Sequence, residues 1–181
     1  MHRAYVALGA NLADPVAQVR AAFESLRSLP DTHLVRTSSL YRTAPVGIHG
    51  QPDFINAVAL LDTLLDAEAL LDHLLAVETA FGRRRDFHHA PRTLDLDLLL
   101  FDDAIIDTPR LRVPHPRMHL RAFVMQPLAE IAPDCRIPGR GSVAAWLPAV
   151  QMQRIERLDS HNRSRAGHAG ELQANQTRLK Q

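Results

Sequence analysis

Two aspartates, Asp95 and Asp97, stand two positions apart in an otherwise apolar stretch, residues 91–101, which reads Pro-Arg-Thr-Leu-Asp-Leu-Asp-Leu-Leu-Leu-Phe. Side chains alternate between faces in an extended chain, so Thr93, Asp95, Asp97 and Leu99 share one side and Leu94, Leu96, Leu98 and Leu100 the other. The two carboxylates then lie about 7 Å apart along the strand. At that spacing they can hold one or two Mg²⁺ ions, which typically take one or two carboxylates together with the phosphates of a substrate. Just upstream, residues 82–92 carry Arg83, Arg84, Arg85 and Arg92. Guanidinium forks match phosphate oxygens bidentately, so arginines beside carboxylate-held metal suit a polyphosphate. Strict alternation places Arg92 on the leucine face, and a turn at Pro91 is needed to bring it to the acids. Taken singly, the acids read as the outer face of a half-buried strand and the arginines as a solvated loop. Their convergence on one edge favours a nucleotide-phosphate site.

A second pattern joins Phe54 and Asn56, which share a face with Val58 and Leu60 in the apolar run 54–61. A ring beside a carboxamide suits a flat heterocycle. The ring stacks on it, worth on the order of 1–3 kcal/mol by analogy with base stacking, and the amide reads its hydrogen-bonding edge. Taken alone, the pair reads more readily as a core phenylalanine next to a strand-end asparagine. Two other functional classes compete. His115 and His119 have i, i+4 spacing, as in zinc enzymes, although Pro116 interrupts any helix there and no third ligand is evident. A strand-rich α+β order also suits an RNA-binding module, yet its aromatic signature is missing and two strand acids repel phosphates without a metal.

The elements that must position these groups follow from periodicity. The opening residues 1–9 read as a first strand. Asn11 to Asp14 followed by Pro15 starts a helix with Val16, Val19, Phe23 and Leu26 on one side, ending by Pro30. Residues 33–42 read as a second strand, 43–52 as a Pro/Gly-punctuated loop and 54–61 as a third strand. Asp66 caps a second helix with Leu70, Leu74, Val77 and Phe81 inward and Gly82 at its end. The acidic strand is the fourth. This strand, helix, strand, strand, helix, strand order predicts an α+β fold, a ferredoxin-like βαββαβ core with two helices on one face of an antiparallel sheet. Further on, Ile105, Ile106 and two helices around 118–131 and 142–147 are expected to extend the sheet and cap one end. Residues 1–150 form one domain, and the polar residues 151–181 read as a mobile tail.

Composition sets outer limits. The chain has 181 residues, 46% of them hydrophobic, enough for one domain with a core. A net charge of +1 argues against counterion-driven nucleic-acid binding. The single Cys135 suits a reducing compartment and reads as a small hydrophobe. No stretch is apolar over the length of a bilayer, and the opening residues are too short for a secretory signal. The reading is a cytoplasmic protein, monomeric, with no membrane or nucleic-acid partner.

The ordered landmarks resemble the 6-hydroxymethyl-7,8-dihydropterin pyrophosphokinase family over residues 4–146. The resemblance rests on Gly9-Ala10-Asn11-Leu12, Tyr41-Arg42-Thr43-Ala44-Pro45-Val46-Gly47, Gln51-Pro52-Asp53-Phe54-Ile55-Asn56-Ala57, and Glu78 with Gly82-Arg83. Above all it rests on residues 91–97 and on Val113-Pro114-His115-Pro116 through Arg121, Phe123 and Pro127-Leu128 to Glu130-Ile131-Ala132-Pro133. It implies transfer of the terminal diphosphate of ATP to the pterin hydroxymethyl group with release of AMP, a step of folate (tetrahydrofolate) biosynthesis. Asp95 and Asp97 would hold two Mg²⁺ ions. Arg83 and Arg92 would grip the transferred phosphates, while Glu78, Arg85, His115 and Arg121 would hold the nucleotide. Phe54 and Phe123 would sandwich the pterin, with Asn56 and the backbone near Thr43, Pro45 and Val46 reading its edge. The chain departs from the family pattern at Ala44, at Leu75, where some members carry a polar residue, and at His89-Ala90, where some carry tryptophan and glycine.

Overall fold

The computed structural model describes residues 1–45, 51–82 and 93–158. The elements run β1 (His2–Ala10), α1 (Pro15–Arg27), β2 (Thr32–Thr37), β3 (Tyr41–Thr43), β4 (Phe54–Thr63), α2 (Ala67–Ala80) and β5 (Asp95–Phe101). There follow β6 (Ile106–Asp107), β7 (Arg112–Val113), a 3-10 turn (Met118–Leu120), α3 (Ala122–Ile131), β8 (Arg136–Ile137), β9 (Gly141–Ser142), α4 (Val143–Val150) and β10 (Glu156–Arg157). Both expected helix starts are present. Asp14 accepts a hydrogen bond from the Ala17 N–H at 3.0 Å with Pro15 in the first turn, and Asp66 accepts one from Ala69 at 2.8 Å.

The main sheet has the order β10-β3-β4-β1-β5, with β2 also paired to β4, and every pairing is antiparallel. This is the ferredoxin-like α+β core, with β1 and β4 central. The single strand expected over 33–42 is two strands, both on the same edge of β4. Between them Ser38 donates its N–H to the Val58 carbonyl at 2.9 Å, and its hydroxyl oxygen accepts the Val58 N–H at 3.0 Å. A side-chain oxygen there replaces a backbone carbonyl, so the chain breaks without stranding a donor.

The two core helices, α1 and α2, lie on one face of the sheet as expected, and α3 and α4 cover the other. Alternate residues of β1 and β4, with Leu94, Leu96 and Leu98, pack against Val19, Ala22 and Leu26 of α1 and Leu70 and Leu74 of α2. Tyr5, Val58, Leu60, Leu99 and Leu100 pack on the other side against Met118, Val124, Met125, Leu128 and Val143. Ile106 and the helices expected around 118–131 and 142–147 therefore do not extend the sheet. The β6-β7 and β8-β9 pairs form separate two-stranded ribbons, and α3 and α4 supply a third layer. The reason lies in β4, whose residues from Ile55 to Leu61 are buried on both faces and need cover on each side. The expected leucine face of β5 also ends early. Val6 pairs with Leu98 but Tyr5 with Leu100, a bulge that turns both Leu99 and Leu100 to the second core and returns Phe101 to the first.

The domain does not stop at residue 150. β10 adds to the outer edge of β3, and Leu158 donates its N–H to the Leu40 carbonyl at 2.8 Å. Edge pairing uses the backbone, so polar residues in 151–158 carry no hydropathic mark of it. The rest of the expected tail, 159–181, lies outside the described residues, as do 46–50 and 83–92. No helix among the described residues is long and apolar enough to cross a membrane.

Candidate active site

The polar residues of the central strands gather at one end of the sheet. Tyr41, Asn56, Gly9 and Asp95 form one row across β3, β4, β1 and β5, with Thr43 and Phe54 paired beside it. Directly paired residues point to the same face. Asn56 is 5% exposed, and its amide nitrogen donates to the Thr43 hydroxyl at 2.9 Å, which fixes how the carboxamide faces. Between Asn56 and Asp95, Gly9 presents bare backbone. A Cβ there would meet only Asn56 Oδ1, at 3.4 Å, so the glycine keeps a shallow floor between carboxamide and carboxylate.

Asp95 and Asp97 share this face, opposite Gly9 and Ala7, and both are half-buried. Three groups after β5 are gathered around them. The His115 N–H donates to the Leu99 carbonyl at 2.9 Å, on the outer edge of β5. That anchor sets the imidazole Nε2 3.9 Å from Asp97 Oδ2. Burial, then Arg121 and Arg117, push the pKa of His115 down to about 4. The imidazole is thus neutral near pH 7, and its approach to Asp97 is not an ion pair. Arg121 immediately precedes α3 and feels both Asp97 and Asp95. Burial and Arg117 lower its pKa, the two carboxylates oppose them, and a guanidinium stays charged at neutral pH. Its Cζ lies 5.4 Å from the centroid of the half-buried Phe123 ring in the first turn of α3.

Beyond the free edge of β5 lies a cavity of about 240 Å³. Leu71 and Leu75 of α2 line it with Leu111 and Pro116, together with Asp97, His115, Arg110 and Arg112. An apolar lining that also holds cations and a carboxylate suits a flat base whose phosphates reach the aspartates. The sequence reading missed this lining. Its residues come from three separate segments, and the apolar Leu75 was its one local sign.

Glu78, expected among the nucleotide ligands, is 0% exposed on α2, and its Oε1 accepts the Leu96 N–H at 2.7 Å. It lies behind the carboxylate strand and ties the outward donor of an edge strand to α2. Thr43, Phe54, Asn56, Asp95, Asp97, His115, Arg121 and Phe123 are thus brought to one end of the sheet, with Pro45 half-buried just past β3. Val46, Arg83, Arg85 and Arg92 lie outside the described residues, as do His89 and Ala90. The zinc pair is not assembled: His115 faces Asp97, while His119 Nε2 is 3.1 Å from the Arg140 guanidinium. Among the described residues no three His, Cys, Asp or Glu side chains cluster as a metal site. The pair Asp95 and Asp97 fits Mg²⁺ by its chemistry, two hard oxygen donors on an open face beside cations suited to phosphate.

Comparison with known proteins identifies the family of the chain and supports its fold. Residues 5–133 match the family model for 7,8-dihydro-6-hydroxymethylpterin-pyrophosphokinase. The chain is 50% identical over 158 residues to a 2-amino-4-hydroxy-6-hydroxymethyldihydropteridine pyrophosphokinase of Pseudomonas aeruginosa, covering 87% of this chain and 98% of the relative. It is 49% identical over 138 residues to the protein of the same name from Haemophilus influenzae, covering 76% of this chain and 86% of that one. The fold matches a Plasmodium falciparum HPPK-DHPS crystal structure with pteroate at a TM-score of 0.68 and 13% identity, over 87% of this chain. There it spans less than half of the other chain, 47%. The chain belongs to the 7,8-dihydro-6-hydroxymethylpterin-pyrophosphokinase family and is an enzyme of that class.

Proposed function

We propose that the protein transfers the terminal diphosphate of ATP to the hydroxymethyl oxygen of 6-hydroxymethyl-7,8-dihydropterin, releasing AMP, as a step of folate biosynthesis. The observation that carries the reading is the meeting of Asp95 and Asp97 with Arg121 and His115 beside an apolar base-sized slot. In this reading ATP lies over the edge of β5, its base between Leu71, Leu75 and Leu111 and its phosphates toward the aspartates. Asp95 and Asp97 hold Mg²⁺, two ions in the family's manner. When bound, Mg²⁺ neutralises the triphosphate and the charge that develops on the leaving AMP.

The pterin lies at the other end of the floor. Asn56, oriented by Thr43, reads its edge with backbone groups near Pro45 and Val46, and Phe54 and Phe123 stack on its rings. This sets the hydroxymethyl oxygen in line with the β-phosphorus, so that positioning and electrostatics supply most of the acceleration. Arg121, with Arg83, Arg85 and Arg92, steadies the phosphate oxygens. His115, being neutral, donates or accepts a hydrogen bond without adding charge. The reading has the enzyme act as a cytoplasmic monomer on small molecules alone.

An assay of AMP release from ATP tests it. AMP should form only with both Mg²⁺ and the hydroxymethyl pterin, in equal amount with the pterin diphosphate. Release of ADP, or AMP formed at the same rate without pterin, would overturn the proposal.

A further inference from the structure

The geometry points to Gln153 as a positioning residue for Arg121, an inference that rests on the proposed role of Arg121 at the phosphates. A helix leaves its first backbone N–H groups without partners, and the residue before it ordinarily meets this need with a short polar side chain. Before α3 that residue is Arg121, which makes no such bond. Its guanidinium is instead turned toward Phe123 and the field of Asp97 and Asp95.

The missing cap comes from far along the chain. Gln153 Oε1 accepts the Ala122 N–H at 2.9 Å, and Gln153 Nε2 donates to the Leu120 carbonyl at 2.8 Å. One carboxamide thereby holds the peptide groups on both sides of Arg121, as a neighbouring strand would. The glutamine is itself held at both ends. Its N–H donates to the Val150 carbonyl at 3.0 Å, at the end of α4. Downstream, Ile155 packs into the second core and Arg157 bonds Ser39 Oγ at 2.9 Å and Glu130 Oε1 at 3.1 Å. Residues 151–158 thus form a strap that fixes the backbone from which the Arg121 side chain is aimed, and leaves that side chain free for the phosphates.

Gln153→Ala in the full chain tests this, with α,β-methylene-ATP and Mg²⁺ as the probe and the ¹⁵Nε–¹H NMR signal of Arg121 as a readout independent of turnover. We expect the analogue to bind about five- to tenfold more weakly, as loss of a helix cap implies. Pterin affinity, which rests also on Phe54 and Asn56, should fall by less than nucleotide affinity, and the Arg121 signal should shift or broaden. In an Arg121→Ala background the same substitution should add nothing further. An additive loss there, or unchanged affinity with an unchanged Arg121 signal, overturns the proposal. If the wild type fails to bind the analogue, the nucleotide reading falls, and an unmoved Arg121 signal in Gln153→Ala would still refute the strap by itself.

Discussion

In the proposed mechanism Asp97 serves the chemistry as a metal ligand and bears little of the fold. Its side chain is 41% exposed on an edge strand, so removing it opens no buried cavity. Asp97→Ala should lower turnover by at least about 100-fold, the scale of losing a group that stabilises transition-state charge, with its melting temperature within a few degrees of wild type. Near-normal Mg²⁺-dependent turnover in the purified variant would refute the two-carboxylate site. In the proposed reading the rings serve the pterin and not the nucleotide. Phe54→Ala and Phe123→Ala should each weaken the pterin by about 10- to 100-fold, corresponding to one lost stacking partner. Calorimetry should find nucleotide affinity nearly unchanged in Phe54→Ala. If that variant weakened ATP and spared the pterin, the two subsites would have been assigned the wrong way round.

At the scale of elements, β5 is an edge strand made rigid by groups outside the sheet. Glu78 takes the N–H of Leu96, which lies between the two acids, and the His115 N–H meets the Leu99 carbonyl two residues beyond Asp97. The strand that presents Asp95 and Asp97 is thereby fixed to α2 and to the segment leading into α3. Removing a fully buried acceptor costs its donor's desolvation and leaves a cavity, here on the order of 2–4 kcal/mol. Glu78→Ala should therefore lower thermal stability markedly, whereas Glu78→Gln keeps an oxygen at the Leu96 N–H and should retain more of it. Denaturant melts of the two variants decide this. Equal stability in Glu78→Ala and wild type would show that α2 does not anchor the strand.

For the whole molecule, the burial of His115 makes stability depend on pH. Its ordinary value of 6.5 falls to about 4 in the fold. Between those values the unfolded chain takes up a proton that the folded chain refuses. Stability from this site is complete above pH 6.5 and declines as the pH drops toward 4, by at most about 3 kcal/mol. Thermal melts between pH 7.5 and 4.5 should show that decline, and His115→Gln should flatten it. An identical acid slope in the variant would place the sensitivity elsewhere.

The sequence alone carried the first two helices, their caps, the ferredoxin-like order and the shared faces of Asp95 with Asp97 and of Phe54 with Asn56. These follow from local rules: a 3.6-residue period with Asp14 or Asp66 at its head, and a two-residue period that puts Asp95 beside Asp97 on one face. What depended on distant partners was not legible. The break at Ser38 exists because its hydroxyl meets Val58, the bulge at Leu99 because Tyr5 and Val6 pair out of step with β5, and the placement of α3 and α4 because β4 is buried on both sides. The apolar slot and the strap through Gln153 likewise join segments tens of residues apart by contacts that leave no periodic trace. Local propensity is written in neighbouring residues, but a hydrogen bond between Gln153 and the peptide groups around Arg121 is decided only when the chain has closed on itself.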